Sequence, residues 1–192
     1  MALRNQIMLI TYPDSLGRNL QELKYLLRKH LKGVIGGLHI LPFYPSSADR
    51  GFAPLEYTVV DPAFGTYEDI MELGEEFDLM VDFMINHISR QSPQFQDFQR
   101  SKDSSPYREM FIRYKDFWPG GEPTPEDLRR IYQRKPRPPY VEVTFADGSR
   151  EKLWCTFSEE QIDLNVDSPV TREFIRDSLA FLAQKKAAVI RL

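Results

Sequence analysis

Residues Leu79 to Ile85 form an almost continuous apolar run that stops abruptly at two polar groups, Asn86 and His87. A run with apolar residues on both alternating faces fits a strand covered on both sides of a parallel sheet. Polar residues at the C-terminal end of such a strand are how a parallel α/β barrel presents its chemistry. The preceding segments agree. Gln6 to Thr11 reads as a short buried strand. Asn19 can cap a helix, with Glu22 as its capping-box partner. Leu20, Leu23, Leu26, Leu27 and Leu31 then share one helical face, and Gly33 is a natural stop. Gly36 to Leu41 is a second strand closed by Pro42, and Thr66 with Asp69 caps a second helix through Leu73. Strand, helix, strand, helix, strand requires right-handed crossovers and a parallel sheet.

The alternation ceases from Ser89 to about Val166, a stretch rich in Pro, Arg and aromatic residues. Tyr140 to Phe145 alternates, Ala146-Asp147-Gly148 turns, and Arg150 to Trp154 returns, which is a hairpin pattern. Ser168 caps a last helix with Pro169 at its first position, and Val170, Phe174, Ser178 and Phe181 or Leu182 form its face. Ala187 to Leu192 begins a fourth strand. The expected organisation is α/β, a parallel sheet of strands one to four: residues 1–88 are its first part, 89–166 an inserted subdomain, and 167–192 its resumption.

Composition narrows the function. At 192 residues the chain can build one sizeable core and a small subdomain. A net charge of −3 with interspersed signs offers no footprint for nucleic acid or an anionic membrane. No apolar run reaches membrane-spanning length. The single cysteine, Cys155, excludes an internal disulfide and fits a reducing cytoplasm; between Trp154 and Thr156 it reads as a buried, inert thiol. The N-terminal residues lack the pattern of a secretion signal. The expected location is cytoplasmic. Met8, Met71, Met80, Met84 and Met110 read as core filler.

Asp82-Phe83-Met84-Ile85-Asn86-His87 resembles the third-strand motif of the α-amylase family of glycoside hydrolases and transferases (glycoside hydrolase family 13). Further segments, in order, resemble that family's sucrose phosphorylase group: Ile10 to Gly17, Gly37 to Pro42, Ala48-Asp49-Arg50-Gly51-Phe52, Glu160 to Asn165, and Val189 to Leu192. The opening residues and the loop Ser46 to Pro54 look most like members acting on sucrose 6'-phosphate. The resemblance covers essentially the whole chain and implies the front half of an α-amylase-type barrel, a partial (β/α)8 TIM barrel of strands one to four with a subdomain inserted after strand three. It implies phosphorolysis of sucrose 6'-phosphate or sucrose to α-glucose 1-phosphate. Sucrose, glucosylglycerol or glucosylglycerate as donor are rivals within the class; a hydrolase, a transglucosidase and a non-catalytic half-barrel module are more distant ones. The implied partners are a small sugar and inorganic phosphate, the latter as substrate, with no cofactor and no metal.

Retaining glucosyl transfer uses two carboxylates about 5 Å apart. By the resemblance the nucleophilic aspartate follows Leu192 and the other carboxylates come later. This chain therefore holds none of the three and is expected to be inactive alone. A half-barrel also leaves strands one and four open at their edges, so the segment by itself is expected to self-associate.

What the chain supplies is the glucose cradle and part of an anion site. Asp49 suits the distal sugar hydroxyls, because hydrogen bonds to a carboxylate are charge-assisted; the alternative is a turn-capping Asp. Phe52 offers an apolar face to the sugar ring, or packs in the core. His87 is a neutral donor for the 6-hydroxyl or ring-oxygen side, with a satisfied core histidine as the alternative, and Asn86 orients its neighbours. Gln161 reaches a substrate hydroxyl or bonds within the subdomain. Arg191 supports the nucleophile by holding a carboxylate ionised. Asp82 and Asp163 read as structural, fixing backbone or Arg. Arg129, Arg130, Arg134, Lys135 and Arg137 form a basic cluster broken by prolines, and Arg134 and Lys135 align with the group's phosphate-binding segment; a solvated surface patch is the alternative.

Overall fold

The computed structural model describes Leu3, residues 5–131 and residues 136–192. The chain divides into two compact units: Met1–Met84 with Ile175–Leu192, and Ile85–Phe174.

The first unit opens with strand β1 (Ile7–Thr11), helix α1 (Leu20–Leu26), strand β2 (Ile35–Ile40), helix α2 (Tyr67–Glu76) and strand β3 (Asp78–Asp82). The second unit contributes β4 (His87–Ser89), α3 (Pro93–Ser101), short helices α4 (Tyr114–Phe117) and α5 (Pro125–Arg130), and strands β5 (Tyr140–Thr144), β6 (Arg150–Trp154) and β7 (Gln161–Asp163). Helix α6 (Pro169–Gln184) follows, and β8 (Val189–Arg191) returns to the first unit. The first unit's sheet runs β1-β2-β3-β8 with every pairing parallel. That is the sheet the strand–helix alternation calls for, an α/β arrangement of four barrel strands.

Burial explains the pattern. All six residues of β2 are buried, as a central strand requires. Leu20, Leu23 and Leu27 of the first helix are fully enclosed. Helix α1 passes directly into a wider turn at Leu27–Leu31, and Gly33, at φ 77°, ends it in a conformation glycine adopts without strain. Lys24 bonds Asp69 at 3.1 Å and Glu72 at 2.7 Å, tying α1 to α2.

Four details depart from the sequence expectations. Asn19 does cap α1, accepting from the Glu22 amide at 3.0 Å, but the Glu22 carboxylate bonds Arg18 instead of closing the capping box. One Glu22 oxygen takes the Arg18 guanidinium and the other the Arg18 backbone N–H, so neither is turned to the Asn19 amide. Ser168 precedes Pro169 as expected, yet its hydroxyl is buried and finds no partner among the described residues; the Arg172 amide bonds the Ser168 carbonyl at 3.0 Å. Met84 and Met110 are core residues and Met71 and Met80 are half-buried, whereas Ile7, Met8 and Ile10 are exposed, because β1, expected to be buried, is an edge of this sheet. Strand three stops at Asp82, three residues before Ile85.

The last difference has a clear cause. The Phe83 amide still bonds the Arg191 carbonyl at 2.8 Å, but the Met84 amide donates to the Tyr57 hydroxyl at 3.0 Å, leaving the ladder. His87 then belongs to a separate antiparallel pairing, β4 with β7.

In the second unit the anticipated hairpin forms with Tyr140 opposite Trp154 and Thr144 opposite Arg150, and Gly148 turns at φ 81°. Its core gathers Ile88, Phe95, Phe98, Met110, Phe111 and Leu153. Phe98 stacks on Phe111 at 5.4 Å, and Phe145 meets Phe98 edge-on at 5.2 Å. Among the described residues no helix is long and apolar enough to cross a membrane.

Leu38, fully enclosed in β2, reports on this packing. Leu38→Ala is expected to cost about 2–5 kcal/mol in equilibrium urea denaturation. A loss below about 1 kcal/mol would contradict a strand covered on both faces.

Candidate active site

At the C-terminal ends of the first unit's strands a carboxylate is shared across three of them. Asp82, 3% exposed, holds His39 Nε2 at 2.8 Å and Arg191 Nη1 at 3.0 Å. His39 lies on β2, Asp82 on β3, and Arg191 directly opposite Asp82 on β8. An ionised carboxylate only accepts, so the His39 Nε2 carries the proton in this pair. The Asp82 carbonyl also accepts from the Tyr44 hydroxyl at 2.9 Å. Around it the rings interlock: Tyr44 meets Tyr57 edge-on at 4.9 Å, and Tyr57 meets Phe83 at 4.5 Å. Burial pushes the Tyr44 and Tyr57 hydroxyls well above their ordinary pKa, so both stay neutral donors. Asp82 is thus the structural carboxylate its apolar surroundings suggested, and Arg191 is drawn toward β3.

Beside this lies an open cleft of about 310 Å³, walled by the ends of β1 and β2 and by the loop carrying Asp49. Asp49 and Arg50 adopt left-handed backbone, at φ 56° and 49°, and Gly51 continues at φ 98°. Only the glycine does this freely; each of the other two costs roughly 1–2 kcal/mol. Gly51 is required for a second reason: a Cβ there would lie 2.7 Å from the Pro42 carbonyl oxygen. The Ser46 hydroxyl gathers the loop, lying 2.8 Å and 2.9 Å from the Ala48 and Ala53 carbonyls. The loop presents Asp49 exposed at the cleft and leaves Phe52 half-buried. Asp14 and Tyr12 complete the wall, engaging Arg50 by an ion pair at 2.7 Å and a ring contact at 4.1 Å. Sequence reasoning gave these three residues no role. A bulky cation between Asp and Gly in a tight turn was the available signal.

The second unit holds its own polar set. His87 is 5% exposed, with Gln161 Nε2 at 3.1 Å from its Nε2 and Asn86 Nδ2 at 3.3 Å from its Nδ1. Ser158 donates to Gln161 Oε1 at 2.6 Å, which turns the Gln161 amide N–H toward the imidazole. In a neutral ring that makes Nε2 the acceptor. Both ring nitrogens therefore face amide groups inside the unit, and the Gln161 side chain has a partner at each end. The Phe157 ring stands 5.0 Å from His87, a neighbour the sequence reading did not name. Asn86 orients its surroundings as expected, donating to Asp163 Oδ1 at 3.1 Å. Asp163 also takes the Thr156 amide at 3.1 Å and the Thr156 hydroxyl at 2.5 Å.

The basic cluster is only partly placed. Arg134 and Lys135 lie outside the described residues. Arg137 donates to the Cys155 and Pro138 carbonyls at 3.0 Å and 3.1 Å, so its charge serves the fold. Arg130 pairs with Glu126 at 2.5 Å. Cys155 is buried, and burial raises its thiol pKa, as for an inert thiol. Among the described residues no group of three or more His, Cys, Asp or Glu side chains could hold a metal ion.

A parallel sheet with a shared carboxylate at its C-terminal ends, beside a loop-walled cleft, is how an α/β barrel presents a site, and comparison with known proteins gives the family. A family model described as the alpha amylase catalytic domain matches residues 20–192. The chain belongs to that family. It is 51% identical over 192 residues to a sucrose phosphorylase of Streptococcus mutans, covering 100% of this chain and 40% of the relative. It is 44% identical to a glucosylglycerol phosphorylase of Marinobacter adhaerens, covering 100% of this chain and 39% of the relative. The crystal structure of sucrose 6F-phosphate phosphorylase from Thermoanaerobacter thermosaccharolyticum superposes with a TM-score of 0.96 at 43% identity, over 100% of this chain and 40% of that one. The chain spans about two fifths of the length of the relatives it matches.

Burial raises the Asp163 carboxyl pKa, against hydrogen bonds from Thr156 and Asn86 that pull it down. The raised value means folding favours the protonated form. Its contribution is full below about pH 4, the ordinary aspartate value, and is lost as pH rises through the raised pKa. Asp163→Asn, always neutral, is therefore expected to gain stability relative to wild type between about pH 4 and pH 7. Urea midpoints measured at both values would show it; a difference that stays constant or moves the other way would contradict the assignment.

Proposed function

We propose that this chain supplies the donor-sugar side of a retaining glycoside phosphorylase. The whole protein would transfer glucose from sucrose 6'-phosphate or sucrose to phosphate, releasing α-glucose 1-phosphate through a glucosyl-enzyme. The observation that carries this is the superposition over the entire chain with a phosphorylase, which takes in both the Asp49 turn and the Asn86-His87 turn.

Asp49 would accept from the distal glucose hydroxyls and Phe52 would lie against the ring. His87 would bond the 6-hydroxyl side, which requires Gln161 to release the ring nitrogen it now faces or to bond the sugar itself. Arg191, oriented by Asp82, would steady the nucleophilic carboxylate, since a guanidinium holds a neighbouring acid ionised. Arg134 and Lys135 are the candidate phosphate ligands. Phosphate acts as a substrate, and the scheme uses neither cofactor nor metal. A cytoplasmic setting suits a phosphate-consuming enzyme with a single buried thiol.

Unphosphorylated sucrose is a specific second reading, favoured by the 51% identity to a sucrose phosphorylase against 43% to the sucrose 6F-phosphate enzyme. Taken alone, the 192-residue chain is proposed to be inactive and to self-associate through β1, whose Ile7 and Ile10 are exposed at the sheet edge.

The test is glucose 1-phosphate release by the full-length protein carrying this chain, with sucrose and sucrose 6'-phosphate offered separately, with and without phosphate. Phosphate-dependent release is expected, and the preferred donor decides between the two readings. Free glucose formed at the same rate without phosphate would mean a hydrolase. Turnover by the 192-residue chain alone would overturn the placement of the catalytic groups.

A further inference from the structure

The Asp49 turn is the most strained segment of the first unit, with three consecutive left-handed residues of which only Gly51 is a glycine. Hydrogen bonds within the loop draw its ends together: the Ser47 amide bonds the Ala53 carbonyl at 3.1 Å, and the Phe52 amide bonds the Asp49 carbonyl at 3.1 Å. Neither fixes the direction in which the apex faces. Two outward contacts do. Gly51 sits against Pro42, at a distance no Cβ would tolerate. Arg50 reaches the loop after β1, where its Nη2 bonds Asp14 Oδ1 at 2.7 Å and its guanidinium lies 4.1 Å over the Tyr12 ring.

Arg is a poor choice for a left-handed position, where Asn or Gly is at home. What Arg brings to this position is therefore its side chain and not its backbone. A planar guanidinium can meet a carboxylate and an aromatic face at once, which few other side chains can do.

We propose that Arg50 is a positioning residue, a latch onto Tyr12 and Asp14 that holds the strained turn so that Asp49 faces the donor glucose. The proposal rests on the reading above that Asp49 binds that sugar. Arg50 itself need not touch the substrate; it acts through Asp49. Because Arg50 and Asp14 are solvent-exposed, the latch contributes little to global stability, so its loss should appear in substrate handling rather than in melting.

The test uses the full-length protein carrying this chain. R50A and R50N are expected to lower kcat/KM for the glucosyl donor tenfold or more, chiefly through a raised KM, with Tm within about 2 °C of wild type. R50N is the sharper variant, because Asn suits the backbone and lacks the latch. R50K, keeping a cation in reach of Asp14, is expected to recover part of the loss. In a D49A background, R50A should cost less than a further twofold. Wild-type kcat/KM in both R50A and R50N would overturn the proposal, as would the full R50A loss appearing on top of D49A. A second arm needs no activity. Trypsin cleavage after Arg50, followed by mass spectrometry, is expected to accelerate at least fivefold in D14N, and an unchanged rate would overturn the latch. If the wild type transfers no glucose, or if D49A is fully active, the sugar reading falls, and the cleavage rate still decides the latch.

Discussion

The Asp82 carboxylate is the constraint on which the rest of the first unit depends. It is buried, it faces a histidine on one neighbouring strand and an arginine on the other, and its own carbonyl takes a tyrosine hydroxyl. A buried charge is tolerated only when its acceptor capacity is met, and here each bond comes from a different part of the chain. The three strands are thereby aligned at their C-terminal ends, where a barrel keeps its chemistry. The aromatic residues between β2 and β3 follow from the same need. Tyr44 and Tyr57 present neutral hydroxyls inward, one to the Asp82 carbonyl and one to the Met84 backbone, while their rings exclude water.

The Asp49 turn accepts a strained backbone to place a carboxylate at the rim of an open cleft. The second unit solves a different problem. It encloses His87 between two amides and steadies Asn86 against a buried Asp163. One site is strained and open, the other relaxed and closed.

Much of this was legible in the residues because the governing signals are local. The apolar run of β3, the Leu face of the first helix, the Thr66–Asp69 box and the Ala146-Asp147-Gly148 turn each declare themselves within a few positions. What escaped depends on partners distant in sequence. Strand three ends at Asp82 because Tyr57, 27 positions before Met84, captures its amide. Glu22 fails to close the capping box because Arg18 occupies both its oxygens, one with the guanidinium and one with the backbone N–H. The Asp82–Arg191 pair spans 109 positions, and only the parallel register brings its members opposite one another. Asp49 and Phe52 in the first unit, and His87 and Gln161 in the second, stood out through resemblance. Arg50, Tyr12, Asp14 and Phe157 did not, because their significance lies in contacts across loops.

The most direct test of the central claim is isotope exchange between labelled inorganic phosphate and α-glucose 1-phosphate, catalysed by the full-length protein with no acceptor sugar present. A glucosyl-enzyme formed by double displacement returns its glucose to whichever phosphate is bound, so label is expected to enter glucose 1-phosphate with the α configuration retained. Net phosphorolysis without any such exchange would contradict the account, because it would require both substrates to be bound together in a single displacement.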